Sequence, residues 1–239
     1  MLVTVAMEVK LQTLPRQVAG VLARRIATGG ISGRVGPSEQ QILQEFGVSR
    51  AVAREALKIL ASLDIVEIAQ GRRVVLRPAD EWDYLSPLLI DWLPQEQIRE
   101  LLAEAHATRL IIEPAIAAIA ARHMTEERLL RLGTLLTAMS ANEHDPDAYL
   151  KLDLDFHMEI CRAAGNRILD RFMYSSRWWQ TASRRISNQV PDALPQATEM
   201  HRGIYEALVG RDPKRAQEAM HWHLKATTAV GLPDDQPAD

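Results

Sequence analysis

Four side chains in the second half of this 239-residue sequence have the types and the spacing to hold a metal ion. Asp153 and His157 bracket the run Asp-Leu-Asp-Phe-His, and a separation of four puts both on one helix face, a turn apart. A carboxylate oxygen and an imidazole nitrogen can then share one cation. His201 opens His-Arg-Gly-Ile-Tyr-Glu-Ala-Leu and His223 follows Ala-Met-His-Trp, so two further imidazoles can arrive from two other helices. Taken singly, a helical histidine is more often a surface residue or a hydrogen-bonded core residue, and His106, His123, His144 and His221 are read that way. Asp155 lies two residues before His157, faces another side of the helix, and is read as solvated or as supporting the ligands.

The elements that must position these residues are helices. From Asp83 onward a periodicity of about 3.6 residues dominates, as in Leu101, Leu102, Ala105 and then Leu110, Ile111, Pro114, Ala115 and Ala118. Breaks near Pro94, Glu126, Asn142 to Pro146, Gly165-Asn166, Val190 to Pro195 and Gly210 to Pro213 predict about seven helices and no sheet.

The amino-terminal part has a different character. Residues 1–78 carry 11 basic and 6 acidic side chains, net +5, while the remainder carries 17 and 25, net −8, within a total of −3. A basic head on an acidic body suggests that only the head meets a polyanion. Val18, Val21, Leu22 and Ile26 repeat at helical spacing until Gly29-Gly30. Ser38 with Gln41 three residues on has the form of a capping box opening a short second helix, which Gly47 ends. Ser49 is the natural N-cap of a third helix, on which Arg50, Arg54 and Lys58 form one stripe and Val52, Ala56 and Leu60 lie nearly opposite. Ile65 to Ile68 and Val74 to Leu76 read as two short strands around Gln70-Gly71-Arg72-Arg73. This is a winged helix-turn-helix, with the third helix suited to the major groove of double-stranded DNA and the hairpin to phosphates or a minor groove.

The segment PSEQQILQEFGVSRAVAREALKILASLDIVEIAQGRRVV resembles the DNA-binding domain of the GntR family of transcriptional regulators, over about residues 14–77. The resemblance implies DNA contacts from Arg50, Arg54, Gly71 and the position of Gln40; the capping residues Ser38 and Ser49 and the wing arginines Arg72 and Arg73, which can reach phosphates, are assigned to the same interface. At Gln40 the family usually has arginine, so that contact is altered here. In order, D-L-D-F-H, A-A-G-N, M-H-R-G-I-Y-E-A-L-V-G-R-D and A-M-x-x-H-L are similar to the FCD ligand-sensing domain of the FadR subfamily. That domain holds a divalent cation on an aspartate and three histidines, which map onto Asp153, His157, His201 and His223. Zinc or nickel suits so imidazole-rich a site, with manganese also compatible.

Two further residues are assigned to an effector. Arg109 is placed opposite the metal, because its guanidinium fork suits a carboxylate; the alternative is an ion pair with Glu113 one turn on. Trp178 offers an apolar wall or an indole donor, and it and Trp179 are as well suited to packing. The run from Glu81 to Leu93 with Arg109 to Pro114 resembles the galactonate operon repressor group, which implies a sugar-acid effector.

The expected architecture is mainly α: a winged helix-turn-helix over 1–77, a linker over 78–82, an all-helical metal- and ligand-binding domain over 83–230 and a disordered tail over 231–239. The expected function is a homodimeric regulator, in the sense of a repressor, on a palindromic operator and controlled by a small carboxylate. A metal-dependent enzyme, or a regulator whose cation only staples helices, is the alternative reading; no HExxH motif supports the former. No run approaches the roughly 18 apolar residues of a membrane helix. The start MLVTVAMEVK does not have the pattern of a secretion signal, and the single cysteine, Cys161, fits a reducing cytoplasm.

Overall fold

Pro15 sits in the first turn of α1 (Leu14–Ala27), where its missing N–H has no intrahelical partner to lose. The computed structural model describes residues 13–69, 73–188 and 192–228. In α2 (Glu39–Phe46) the Ser38 side chain accepts from the Gln41 amide while the Gln41 side chain accepts from the Ser38 amide, and Gly47 ends the helix at φ 63°, a left-handed conformation that favours glycine. The Ser49 hydroxyl accepts from the Val52 amide and starts α3 (Arg50–Ser62). One face of α3, Ala53, Ala56, Leu57 and Leu60, is buried, and Arg50, Arg54 and Lys58 are exposed on the other. β1 (Val66–Ile68) pairs antiparallel with β2 (Val74–Leu76), Glu67 opposite Val75. Gln70, Gly71 and Arg72 of the expected wing lie outside the described residues, and Arg73 is exposed.

The chain does not leave this unit at the expected linker. After a single 3-10 turn, Ala79–Glu81, the side chains of Trp82, Leu89, Trp92 and Leu93 are buried. Trp92 lies so close to α1 that a Cβ on Gly20 would come within 2.6 Å of its indole nitrogen. Arg24 donates to the Asp91 carbonyl and Gln97 to that of Ala27. The first compact unit therefore runs to Ile98 and the second from Arg99, so residues 83–98, expected to begin the helical domain, pack with the winged helix. The reason is apolar: Leu89, Trp92 and Leu93 are all buried, and the Trp92 indole covers α1 at Gly20.

The second unit takes up α4 (Gln95–His123) from Arg99 onward, α5 (Glu126–Ala141), α6 (Pro146–Ala163), α7 (Arg167–Ser175), α8 (Arg177–Ser187), α9 (Ala193–Val209) and α10 (Pro213–Thr228). Thr125, Asp145 and Asn166 cap α5, α6 and α7 through their side-chain oxygens. Among the described residues the number of helices agrees with expectation, but the pieces differ. Residues 83–94 form turns, and an unforeseen break falls at Ser176, whose hydroxyl donates to the Met173 carbonyl. Phe156, Ile160, Ile204, Leu208, Met220 and Leu224, with Leu132 and Met139 from α5, form one core that holds α6, α9 and α10 together. No helix among the described residues is long and apolar enough to cross a membrane.

Candidate metal centre and nucleic-acid interface

Helices α6, α9 and α10 bring Asp153, His157, His201 and His223 together, all buried, each offering one ligand atom within 4.8 Å of the others. Two hydrogen bonds settle which nitrogens point inward. His201 Nδ1–H donates to the Ala197 carbonyl at 2.6 Å, and His157 Nδ1–H to the Glu113 carboxylate, also at 2.6 Å. Neither acceptor has a proton to give, so in the neutral form of each ring the lone pair is on Nε2. These two Nε2 atoms face one another at 3.2 Å, with Asp153 Oδ1 3.0 Å from that of His201 and 3.8 Å from that of His157. The His223 ring lies 4.2 Å from that of His201, centre to centre. Lone pairs so placed repel unless a proton or a cation lies between them, and a carboxylate with three imidazoles is a donor set that fits a divalent ion.

Charge around the cluster is arranged in buried pairs. Arg109 and Glu113 stand a turn apart on α4, Nε to Oε1 2.5 Å, so the alternative noted for Arg109 is realised. The guanidinium of Arg184, on α8, is in direct contact with the Asp153 carboxylate. Arg109, Arg184, Tyr149, Ser183 and Asn188 line, with Asp153 and His223, a cavity of about 20 Å³, room for a water molecule. One Arg109 NH2 group is buried there with no hydrogen-bond partner among the described residues. Arg109 thus faces the cavity while paired with Glu113, whereas Trp178 does not line it. Trp178 is six positions before Arg184 on α8, which turns it to another side of the helix. Asp155 points outward, 3.3 Å from Arg177. Sequence reasoning missed Arg184 because no spacing relates it to the ligand helices, and it read Glu113 only as a partner of Arg109.

Burial, followed by the neighbouring His157, pushes His201 well below the usual imidazole range; burial and His201 do the same to His223. Burial pushes the Glu113 carboxyl up, but Arg109 and then His157 outweigh it and hold the group ionised below the ordinary carboxylate range. His106, a turn before Arg109 on α4, is lowered from 6.5 to about 4 by burial and then by the Arg109 charge. Its folded value is below its unfolded one, so its contribution to stability is full above about pH 6.5 and is lost as pH falls towards 4. We expect the urea midpoint of chelator-treated protein to drop between neutral pH and about pH 5, and His106→Gln to flatten part of that drop. A midpoint equally pH-dependent in that variant would show that His106 is not responsible.

On the other unit, Gln40, Ser49, Arg50 and Arg54 are exposed, and Ser38 is half-buried with its hydroxyl engaged in the capping box. Arg54 Nε lies 3.2 Å from Glu39 Oε1, so this guanidinium is already shared with a carboxylate at the start of α2. Arg50, a turn earlier on the same exposed stripe, sits at the amino-terminal end of α3.

Comparison with known proteins fits both units. Residues 14–76 match the gntR family of bacterial regulatory proteins and residues 104–226 match the FCD domain. The galactonate operon transcriptional repressor of Escherichia coli K12 is 26% identical over 210 residues, 87% of this chain and 92% of that protein. The HTH-type transcriptional repressor NanR of Salmonella newport is 29% identical over 202 residues, 81% of this chain and 75% of that protein. Among solved structures, the Listeria monocytogenes regulator Lar superposes with a TM-score of 0.60 at 21% identity, covering 92% of this chain and 97% of that one. The Streptococcus agalactiae GntR does so with a TM-score of 0.51 at 24% identity, covering 90% and 100%. With a gntR-type helix-turn-helix at its amino end and an FCD domain over half its length, the chain belongs to the GntR family of bacterial regulatory proteins and is a transcriptional regulator, not an enzyme.

Proposed function

We propose that this regulator is a cytoplasmic homodimeric repressor of a palindromic operator, relieved or tightened by a small carboxylate of the sugar-acid class. Asp153, His157, His201 and His223 hold a divalent cation, zinc or nickel before manganese, and Arg109 faces the effector's charge. The cation, when bound, supplies a Lewis-acidic point for an effector oxygen. The facing Nε2 atoms of His157 and His201 beside Asp153 are the observation that carries this reading. The name of the Escherichia coli relative, a galactonate operon repressor, supports the effector class. On DNA, Arg50 and Arg54 read base edges, while Ser38, Gln40, Ser49 and the wing residues Gly71, Arg72 and Arg73 meet the backbone or a minor groove.

An effector shifts the regulator only if it binds the DNA-free and DNA-bound forms with different affinity, by about 1–3 kcal/mol. Calorimetric titration of galactonate and related sugar acids into zinc-loaded protein, with and without operator duplex, measures that difference. Arg109→Ala and His157→Ala should each weaken binding. If both variants bind the acid as tightly as wild type, or operator leaves the wild-type affinity unchanged, the proposed switch is wrong. Zinc binding with no uptake of any acid would make the cation a staple between helices.

A further inference from the structure

We propose that Glu113 is the residue that positions His157 for the cation and ties that ligand to Arg109, so that the cation and an anion facing Arg109 reinforce one another. The proposal rests on the cation site put forward above. Helix α4 supplies none of the four ligands, yet Glu113 reaches across to α6 with Oε2 on His157 Nδ1 at 2.6 Å, while Oε1 stays on Arg109 Nε at 2.5 Å. All three side chains are buried. A carboxylate at the far nitrogen of a ligating imidazole fixes the ring's tautomer and orientation and makes the other nitrogen a better donor. Arg109 draws on the same carboxylate and weakens that effect. An anion that draws Arg109 away from Glu113 leaves more of the carboxylate's charge on His157, and the cation is then held more tightly. By contrast, His201 is oriented by the Ala197 backbone carbonyl, so of these two rings only His157 is oriented by an ionisable side chain.

A purely structural ion pair between Arg109 and Glu113 predicts something different. Removing either partner then leaves a buried charge unpaired, and both single variants weaken cation binding alike through a loosened fold. The experiment is zinc titration against a chromophoric chelator for wild type, Glu113→Leu, Arg109→Leu and the double variant, with zinc alone as probe. Glu113→Leu should weaken zinc about 10- to 100-fold. The double variant, which removes both buried charges together and keeps the fold if the single variant does not, should weaken zinc to a similar extent. Arg109→Leu should bind zinc at least as tightly as wild type. Zinc affinity in the Glu113 variants equal to wild type, or an Arg109→Leu loss as large as that of Glu113→Leu, would overturn the proposal while leaving the cation site standing. No zinc uptake by wild type would overturn both.

Discussion

His201→Ala should lower zinc affinity more than 100-fold. Structural zinc sites with four ligands bind with about 10–16 kcal/mol, so one ligand carries on the order of 3 kcal/mol. His201 is central among the four: its Nε2 is 3.0 Å from Asp153 Oδ1 and 3.2 Å from His157 Nε2, and its other nitrogen is locked on a backbone carbonyl. The loss also appears as stability. A cation present at about 1,000 times its Kd adds roughly 4 kcal/mol to the folded state and at about 10 times its Kd only about 1.4 kcal/mol, so chelator should lower the melting temperature of His201→Ala by about a third as much as that of wild type, or less. Because burial holds His201 and His223 below the usual imidazole range, protons compete poorly, and zinc occupancy should persist as pH falls through the ordinary histidine range. Metal analysis decides the matter: one ion per subunit in wild type and none in a His157, His201 and His223 triple alanine variant. Equal stoichiometry in the two would remove the site.

Arg50→Ala combined with Arg54→Ala should reduce affinity for an operator duplex, selected from a randomised pool by wild-type protein, to nearly that for random DNA. An arginine that donates twice to guanine carries about 1–3 kcal/mol of discrimination, and α3 exposes both on one stripe. The two should not be equal. Arg54 is paired with Glu39 in the free protein, and giving up or sharing an exposed pair costs up to about 1 kcal/mol, so Arg50→Ala is expected to lose more. Arg73→Ala, at an exposed position just before β2, should mainly flatten the dependence of log K on log salt, because a phosphate contact releases counterions and reads no base. Four variants with unchanged preference for operator over random duplex, Arg72→Ala being the fourth, would refute the recognition assignment. On a symmetric operator the bound species should sediment as a dimer, one winged helix per half-site.

Local rules made much of this protein readable from its residues. Ser38 with Gln41, Ser49 and Gly47 encode helix ends through bonds that span three residues or fewer, or through a single backbone angle, and no distant contact is needed to form them. The stripe of Arg50, Arg54 and Lys58 follows from helical periodicity alone, as does the shared face of Asp153 and His157. What depends on residues far apart in the chain was decided by packing. The segment 83–98 has polar punctuation that reads as the start of a new domain, but Trp92 gains more by burial against α1 than any local signal shows. Trp178 and Arg184 share α8, and which of them faces the cavity depends on how that helix is rotated against α4 and α6. Glu113 and His157 are 44 positions apart, and no periodicity relates residues on different helices. The sequence alone determined which side chains were able to hold a cation or read DNA, because chemical type and helical phase are local properties. Only the tertiary structure decided which of them share a buried carboxylate, because burial removes competing water and makes one long-range hydrogen bond worth keeping.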